Sequence, residues 1–514
     1  MQKRLLSNWQ VVLFSVGSMI GGGWLFAPYF TFHSAGIIGG LSAWIITTVI
    51  ALIIALSFAE TISILPVSGA MTRFMKVTHG NTVTFLMIAC GWISYIVLVP
   101  LEAQATTRYL SFWFPSLTVV VQNGVELTWY GTMLAFALII GLTWLNTLVI
   151  TKVAKTNSFA TVWKMLIPSG LVLFIIIMYG HMSNLNFNMA NHPFVLKDVF
   201  GSISKDGLAF SLLGFQNGLL LSKQCKDPKK GVVYSLFIPL FLACFIYMGL
   251  SLTFAYVQNS GTHANQAIAP LLGLVFSLGL QWLTIILFVD AVISPLGTGN
   301  VYITFSGRIM YGVACEYFPK SRLAKLNPND QPAYCLWLNA FVACLFLLPF
   351  PTWRKLANFF ASIVALMYLA GPITLIVLRQ KAAEIQRSFR VKFYGVVGYL
   401  GFIGCSMLIF WSGLQNIQYL TILLIILFVL FLLFKGRENS VRDAVSGGLL
   451  VFHCLILWMI ALFSNNGVLL FPYDSVMIVV LSVIVCYVFT LLSLTKVEIG
   501  QNIQTITTNE ADTL

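Results

Sequence analysis

The sequence predicts an all-α membrane protein of about fourteen transmembrane helices. Two five-helix halves of opposite orientation are followed by four further helices. Three observations predict this. Of 514 residues, 59% are hydrophobic and only 9% charged, against roughly 25% charged in soluble domains, too few to cover a water-soluble surface. Apolar runs of spanning length recur along the whole chain. Two of them, the first and the sixth, are interrupted by glycine clusters at corresponding places in the two halves.

The runs cover 11–32, 36–64, 82–112, 130–150, 157–180, 199–221, 232–256, 271–310, 333–350, 354–378, 393–412, 418–434, 446–464 and 474–494. The first follows Lys3 and Arg4 as a signal peptide would, but no cleavage site or soluble chain comes after it, so it reads as a membrane helix. The eighth is long enough to cross and continue. Residues 1–180 form the expected first half, 181–380 the second and 381–495 the four added helices; 496–514 reads as a flexible cytoplasmic tail. With the N-terminus inside, alternating loops leave Arg108, Lys197, Lys205, Arg354 and Lys355 outside, and every other Lys and Arg but Lys164 inside. That bias places both termini in the cytoplasm, with the plasma membrane as the expected location, and accounts for the net charge of +13 without nucleic acid.

The composition excludes a soluble enzyme, a disordered chain and a secreted disulfide scaffold. Most of the nine cysteines lie in apolar runs without CxxC or zinc spacing, so they read as packing residues, with no metal or cofactor expected. The six histidines are scattered and no paired acids converge, which argues against an intramembrane enzyme. No GxxxxGK[ST] loop points to ATP.

Lipid offers no hydrogen bonds, so a broken helix survives only against protein or a water-filled cavity. Run one carries Gly17-Ser18-Met19-Ile20-Gly21-Gly22-Gly23, and run six carries Leu213-Gly214-Phe215-Gln216-Asn217-Gly218. Exposed N–H groups at such breaks suit a carboxylate, and exposed C=O groups an ammonium or a cation. A zwitterionic amino acid presents both. Gly36, Gly39 and Gly40 read instead as helix-packing residues.

Ionisable groups inside spans cost about 2.5–3.5 kcal/mol each even on the gentler scale. Lys164 in run five and Asp290 in run eight are the candidate coupling residues. One reading has Lys164 load and release a proton, and the other has a static Lys164–Asp290 pair; Asp290 is open to the roles of lysine partner, cation ligand or substrate contact. Glu102 in run three either snorkels to the outer interface or works in the site, and Glu60 sits near the inner end of run two. One proton suffices energetically: about 2.3 kcal/mol per 100 mV plus about 1.4 kcal/mol per pH unit supports accumulation of roughly several hundredfold.

The string Gly17 to Phe26 resembles the first-helix signature of the amino acid–polyamine–organocation transporters. Ala59-Glu60 before Pro66-Val67-Ser68-Gly69, Gly214-Phe215-Gln216 before Asp227-Pro228-Lys229-Lys230, and Arg308 before Tyr311 and Pro319 fit the same family. Trp24-Leu25-Phe26-Ala27, Asp290 with Ser294-Pro295 to Gly299, and Pro349-Phe350-Pro351-Thr352-Trp353 resemble its aspartate–proton symporter subgroup. The resemblance implies a leucine-transporter-type five-plus-five inverted repeat, alternating access, an amino acid substrate and protons as the coupling ion. It also implies that Ser18, Met19, Gly22 and Gly23 line the substrate site beside Gly21 and Gly214. Phe210 and Leu213 contribute from helix six, with Phe210 as a gating aromatic and Trp24 and Gln216 as further gating candidates. Lys164 matches the helix-five Lys of proton-coupled members, where an amine replaces a bound sodium ion. Two positions depart from the family: Gln216 stands where Glu is frequent, and Gly22 where Ser is frequent. An amino acid exchanger without net proton movement is the alternative, and a non-transporting amino acid sensor a remoter one.

Overall fold

The structure, a computed structural model, describes residues 7–64, 70–121, 124–148, 153–180, 194–257, 268–435 and 440–512. The stretch Pro66-Val67-Ser68-Gly69 lies outside the described residues. Eleven helices among the described residues are long and apolar enough to cross a membrane.

Helix α1 (Asn8–Met19) begins at a Ser7–Gln10 capping box and stops at Ile20. After Gly21 and Gly22 the chain restarts as α2 (Gly23–Ile64). This 42-residue helix bends at Gly36, whose φ of 68° a side chain would resist. Gly36 is therefore a bend as much as a packing residue, whereas Gly39 faces Val199 as expected. A short helix α3 (Ala70–His79) leads into α4 (Asn81–Leu110). The strands β1 (Thr118–Val121) and β2 (Gly124–Leu127) form an antiparallel hairpin that the reading by apolar runs missed. Next come α5 (Trp129–Leu148) and α6 (Val153–Tyr179).

Run six divides differently from the expectation. Its first residues belong to a separate helix α7 (Leu196–Lys205), ended by Asp206 and by Gly207 at φ 82°. Helix six proper is the short α8 (Leu208–Leu212), the break at Leu213–Gly214, and a 3-10 helix, Phe215–Gln224. Then α9 (Pro228–Val257) packs on α1 and α2. Run eight also splits: α10 (Pro270–Ser277) turns at Gly279, φ 73°, into α11 (Gln281–Tyr317). After α12 (Ala333–Phe346), the tenth run is α13 (Trp353–Tyr368) continued by α14 (Ala370–Lys381).

The added helices are α15 (Tyr394–Trp411), α16 (Leu414–Lys435), α17 (Val441–Asn465) and α18 (Tyr473–Leu492). They lie against the rest of the bundle: α15 packs on α2, and α17 on α4. The Asp443 carboxylate of α17 accepts the Asn81 and Thr82 N–H groups at 3.1 and 3.0 Å, capping α4 from another helix. The segment read as a flexible tail is helical. It winds into α19 (Lys496–Asp512), with Ile499 fully buried and Glu498 capping its own N-terminus through Thr495.

Glu60 is buried, at 1% exposure. Its carboxylate meets Arg379 Nε at 2.6 Å and Arg387 Nε at 3.1 Å, and accepts the Val391 N–H at 2.7 Å. A carboxylate so enclosed needs these donors, since burying it unpaired costs several kcal/mol.

Candidate functional site

A helix that stops inside the bundle leaves orphan C=O groups on one side and orphan N–H groups on the other. In helix one, groups of both sets are met by other helices. On the C=O side, Thr298 Oγ1 lies 3.4 Å from the Gly17 oxygen and 3.3 Å from the Ile20 oxygen. The Tyr247 hydroxyl donates to Met19 O at 3.2 Å, and the Tyr302 hydroxyl to Ser18 O at 3.5 Å. The Ser18 side chain bonds back to Phe14 O at 2.8 Å, so its hydroxyl is spent within its own helix.

On the N–H side, Glu102 Oε2 accepts the Gly22 N–H at 2.7 Å. Glu102 is 1% exposed, so it does not snorkel; it reaches from α4 into the break. The glycines admit it: a Cβ on Gly21 would overlap its carboxylate, and one on Gly22 would stand 2.9 Å from Ala105 Cβ. A Cβ on Gly23 would stand 2.5 Å from Ser211 Oγ and 3.1 Å from Phe210 Cε1 of α8. Trp24, next in the chain, is fully buried.

Lys164 is 4% exposed, and its ammonium donates to Thr298 Oγ1 at 2.7 Å. The lysine is thereby tied through one hydroxyl to the carbonyl end of α1. It bonds Thr298 rather than Asp290, so the direct Lys164–Asp290 pair of the static reading does not form. Asp290 is nonetheless fully buried, has Trp163 as a polar neighbour, and shares electrostatic contact with Lys164. Glu102 is the second carboxylate in that contact. One lysine thus stands between two buried acids from α4 and α11.

Helix six closes its break differently. Leu213 is extended and Gly214 has φ 111°, a conformation that favours glycine. The Gly214 N–H donates to Gln216 Oε1 at 2.9 Å, and the Tyr368 hydroxyl donates to the same oxygen. Gln216 thus works as a local cap. Asn217 links the breaks: it accepts from the Tyr95 hydroxyl at 2.5 Å and donates to the Tyr302 hydroxyl at 2.8 Å. Met19 and Gly214 touch across the gap, where a Cβ on Gly214 would lie 3.3 Å from Met19 Cγ.

Aromatic rings roof the helix-one break. Phe210 packs edge-on against Trp353 at 5.4 Å, and Trp353 against Phe26 at 4.7 Å. Arg108 stands 4.6 Å over Phe26. Above them Arg354 binds Asp206 at 2.5 Å, and Ser34 donates to the same carboxylate, tying α13, the start of helix six and α2 together.

The predicted residues Gly21, Gly22, Gly23, Glu102, Lys164, Phe210 and Gly214 therefore surround the two breaks. Tyr95, Tyr247, Thr298, Tyr302, Tyr368 and Trp353 were not singled out as site residues. The available signal was a polar tip inside an otherwise apolar run, but the chain carries many such residues, and only the fold says which ones meet the break.

The sequence profile described as amino acid permease matches residues 6–432. The glutamate/serine transporter AimA of Bacillus subtilis is 28% identical over 512 residues, covering 95% of this chain and 94% of the relative. The aspartate–proton symporter of the same organism is 28% identical, covering 81% of each chain. Among solved structures, a manganese transporter mutant from Eremococcus coleocola shares the fold at TM-score 0.51 and 14% identity, over 93% of this chain and 95% of that one. The chain is a multi-pass membrane transporter, not an enzyme, and it belongs to the amino acid permease family.

Proposed function

We propose that the protein couples amino acid uptake to protons by alternating access, with both termini in the cytoplasm. The observation that carries this reading is the buried Lys164 ammonium, bonded to Thr298 at the carbonyl end of broken helix one. Orphan carbonyls at a half-helix end commonly hold a coupling cation in carriers of this kind. Here a lysine delivers the positive charge covalently, and it comes and goes with a proton. The two breaks hold the substrate: the glycine-lined N–H end of α2 takes the carboxylate, and Phe210 and Leu213 close the helix-six side. Alternating access opens the aromatic roof outward and the opposite end inward. The related transporters of glutamate, serine and aspartate support small amino acids as the substrate class.

The test is uptake by purified protein in liposomes. An inward proton gradient should drive concentrative uptake, and added substrate should acidify the lumen. Flux that appears only with amino acid inside the liposome, without acidification, would establish exchange and overturn proton coupling.

A further inference from the structure

Two of the buried polar atoms without a hydrogen-bond partner among the described residues, Glu102 Oε1 and Trp353 Nε1, belong to side chains that meet at Gly22 of the helix-one break. Both side chains are 1% exposed. Both face Gly22: a Cβ there would lie 3.0 Å from Glu102 Oε2 and 3.4 Å from Trp353 Nε1. Two N–H donors, the Gly22 peptide and the Trp353 indole, therefore border one spot, and a carboxylate already takes the first. An orphaned buried donor beside a helix N-terminus is suited to an anion.

Resting on the uptake reading above, we infer that Glu102 is a tethered stand-in for the α-carboxylate of the amino acid: substrate takes the Gly22 and Trp353 N–H groups, and the displaced Glu102 carboxylate moves to the Lys164 ammonium. Gly21 is walled by the Glu102 carboxylate on one side and by the Thr298 methyl on another, and Thr298 carries Lys164. The displaced acid thus has a cation one side chain away. Glu102 is faced by Lys164 of α6, Tyr247 of α9 and Tyr302 of α11, and Lys164 by Glu102 and Asp290. Among these only the lysine brings positive charge. Substrate binding then favours the protonated amine, and by linkage the proton favours substrate. Glu102 acts through Lys164 as a positioning residue, joining proton and substrate occupancy without contacting the substrate in the bound state.

The full-length protein is screened in detergent against the twenty amino acids by thermal shift, and the affinity of the strongest stabiliser is measured in acidic and alkaline buffer. Wild type should bind about tenfold tighter in acid. Glu102→Gln should bind at alkaline pH nearly as tightly as wild type does in acid, with its pH dependence lost. Glu102→Asp keeps the charge but falls a methylene short of Gly22, so it should bind tightly at alkaline pH as well and guards against a folding defect in the first variant. Trp353→Phe removes the indole N–H while leaving an aromatic ring, and should weaken binding roughly tenfold or more at both pH values. Wild-type affinity and pH dependence in both Glu102 variants would overturn the stand-in role, and unchanged binding in Trp353→Phe would remove the indole from the subsite. If no amino acid stabilises wild type, the uptake reading fails, and this inference with it.

Discussion

The two broken helices solve one physical problem in opposite ways. At helix one the orphan groups are met from a distance: Glu102 comes from α4, Tyr247 from α9, and Thr298 and Tyr302 from α11. At helix six the break mostly serves itself, because Gln216 caps Gly214 two residues away, with Tyr368 in support. A locally capped break keeps its shape whatever its neighbours do. A break capped by three other helices changes its partners whenever those helices move. On the proposed uptake mechanism, helix one is then the sensing element and helix six the firmer wall against which it works.

Four substitutions sharpen or break this contrast. The largest effect is expected from Lys164→Ala, which should abolish proton-driven accumulation in liposomes while amino acid binding persists. Accumulation at the wild-type rate would end the coupling assignment. Thr298→Val removes the hydroxyl that joins the lysine to helix one. A hydrogen bond to a charged group is worth about 1.5–3 kcal/mol, so uptake should fall by roughly tenfold to a hundredfold; no loss in a transport assay would make the Lys164–Thr298 contact incidental. Gln216→Ala leaves the Gly214 N–H and the Tyr368 hydroxyl unpaired at about 1–3 kcal/mol. The cost should appear as lower thermal stability with the proton dependence of uptake intact, and a changed proton dependence would show that helix six also senses. The smallest effect is expected from Asp443→Ala, which uncaps α4 far from both breaks. It should cost about 1 kcal/mol of stability and leave transport kinetics unchanged, and altered kinetics would tie the added helices to the transport cycle.

Legibility in the sequence follows the same division. The break at helix six is visible in Leu213 to Gly218 because its cap is local, and the glycines of helix one are visible because three in a row have no ordinary use in a span. The partners that fill the first break come from residues 80 to more than 270 positions away. Apolar periodicity carries no information about such pairings. Glu102 shows the limit best: alone in run three it was open to an interfacial reading, and only the packing of α4 against the break gives its carboxylate a donor. Turns were also hard to place. Gly207 and Gly279 each cut a run that reads as continuous: Gly279 stands between Leu278 and Leu280, where hydrophobicity does not fall, whereas Gly207 follows Ser204-Lys205-Asp206, a short polar signal inside run six. The polar tail reads as flexible, yet it forms α19, where Ile499 is buried, Lys496 pairs with Glu384 and Glu498 lies near Arg442.

The claim on which the rest depends is that helix one unwinds at Ile20 to Gly22, just before Gly23, to receive the amino acid. The most direct test is equilibrium binding to Gly23→Leu, where the new side chain would have to occupy the space of Ser211 and Phe210. The account predicts that this variant remains folded by thermal denaturation and binds no amino acid that wild type binds. Wild-type affinity in the folded variant would place the substrate elsewhere and contradict it.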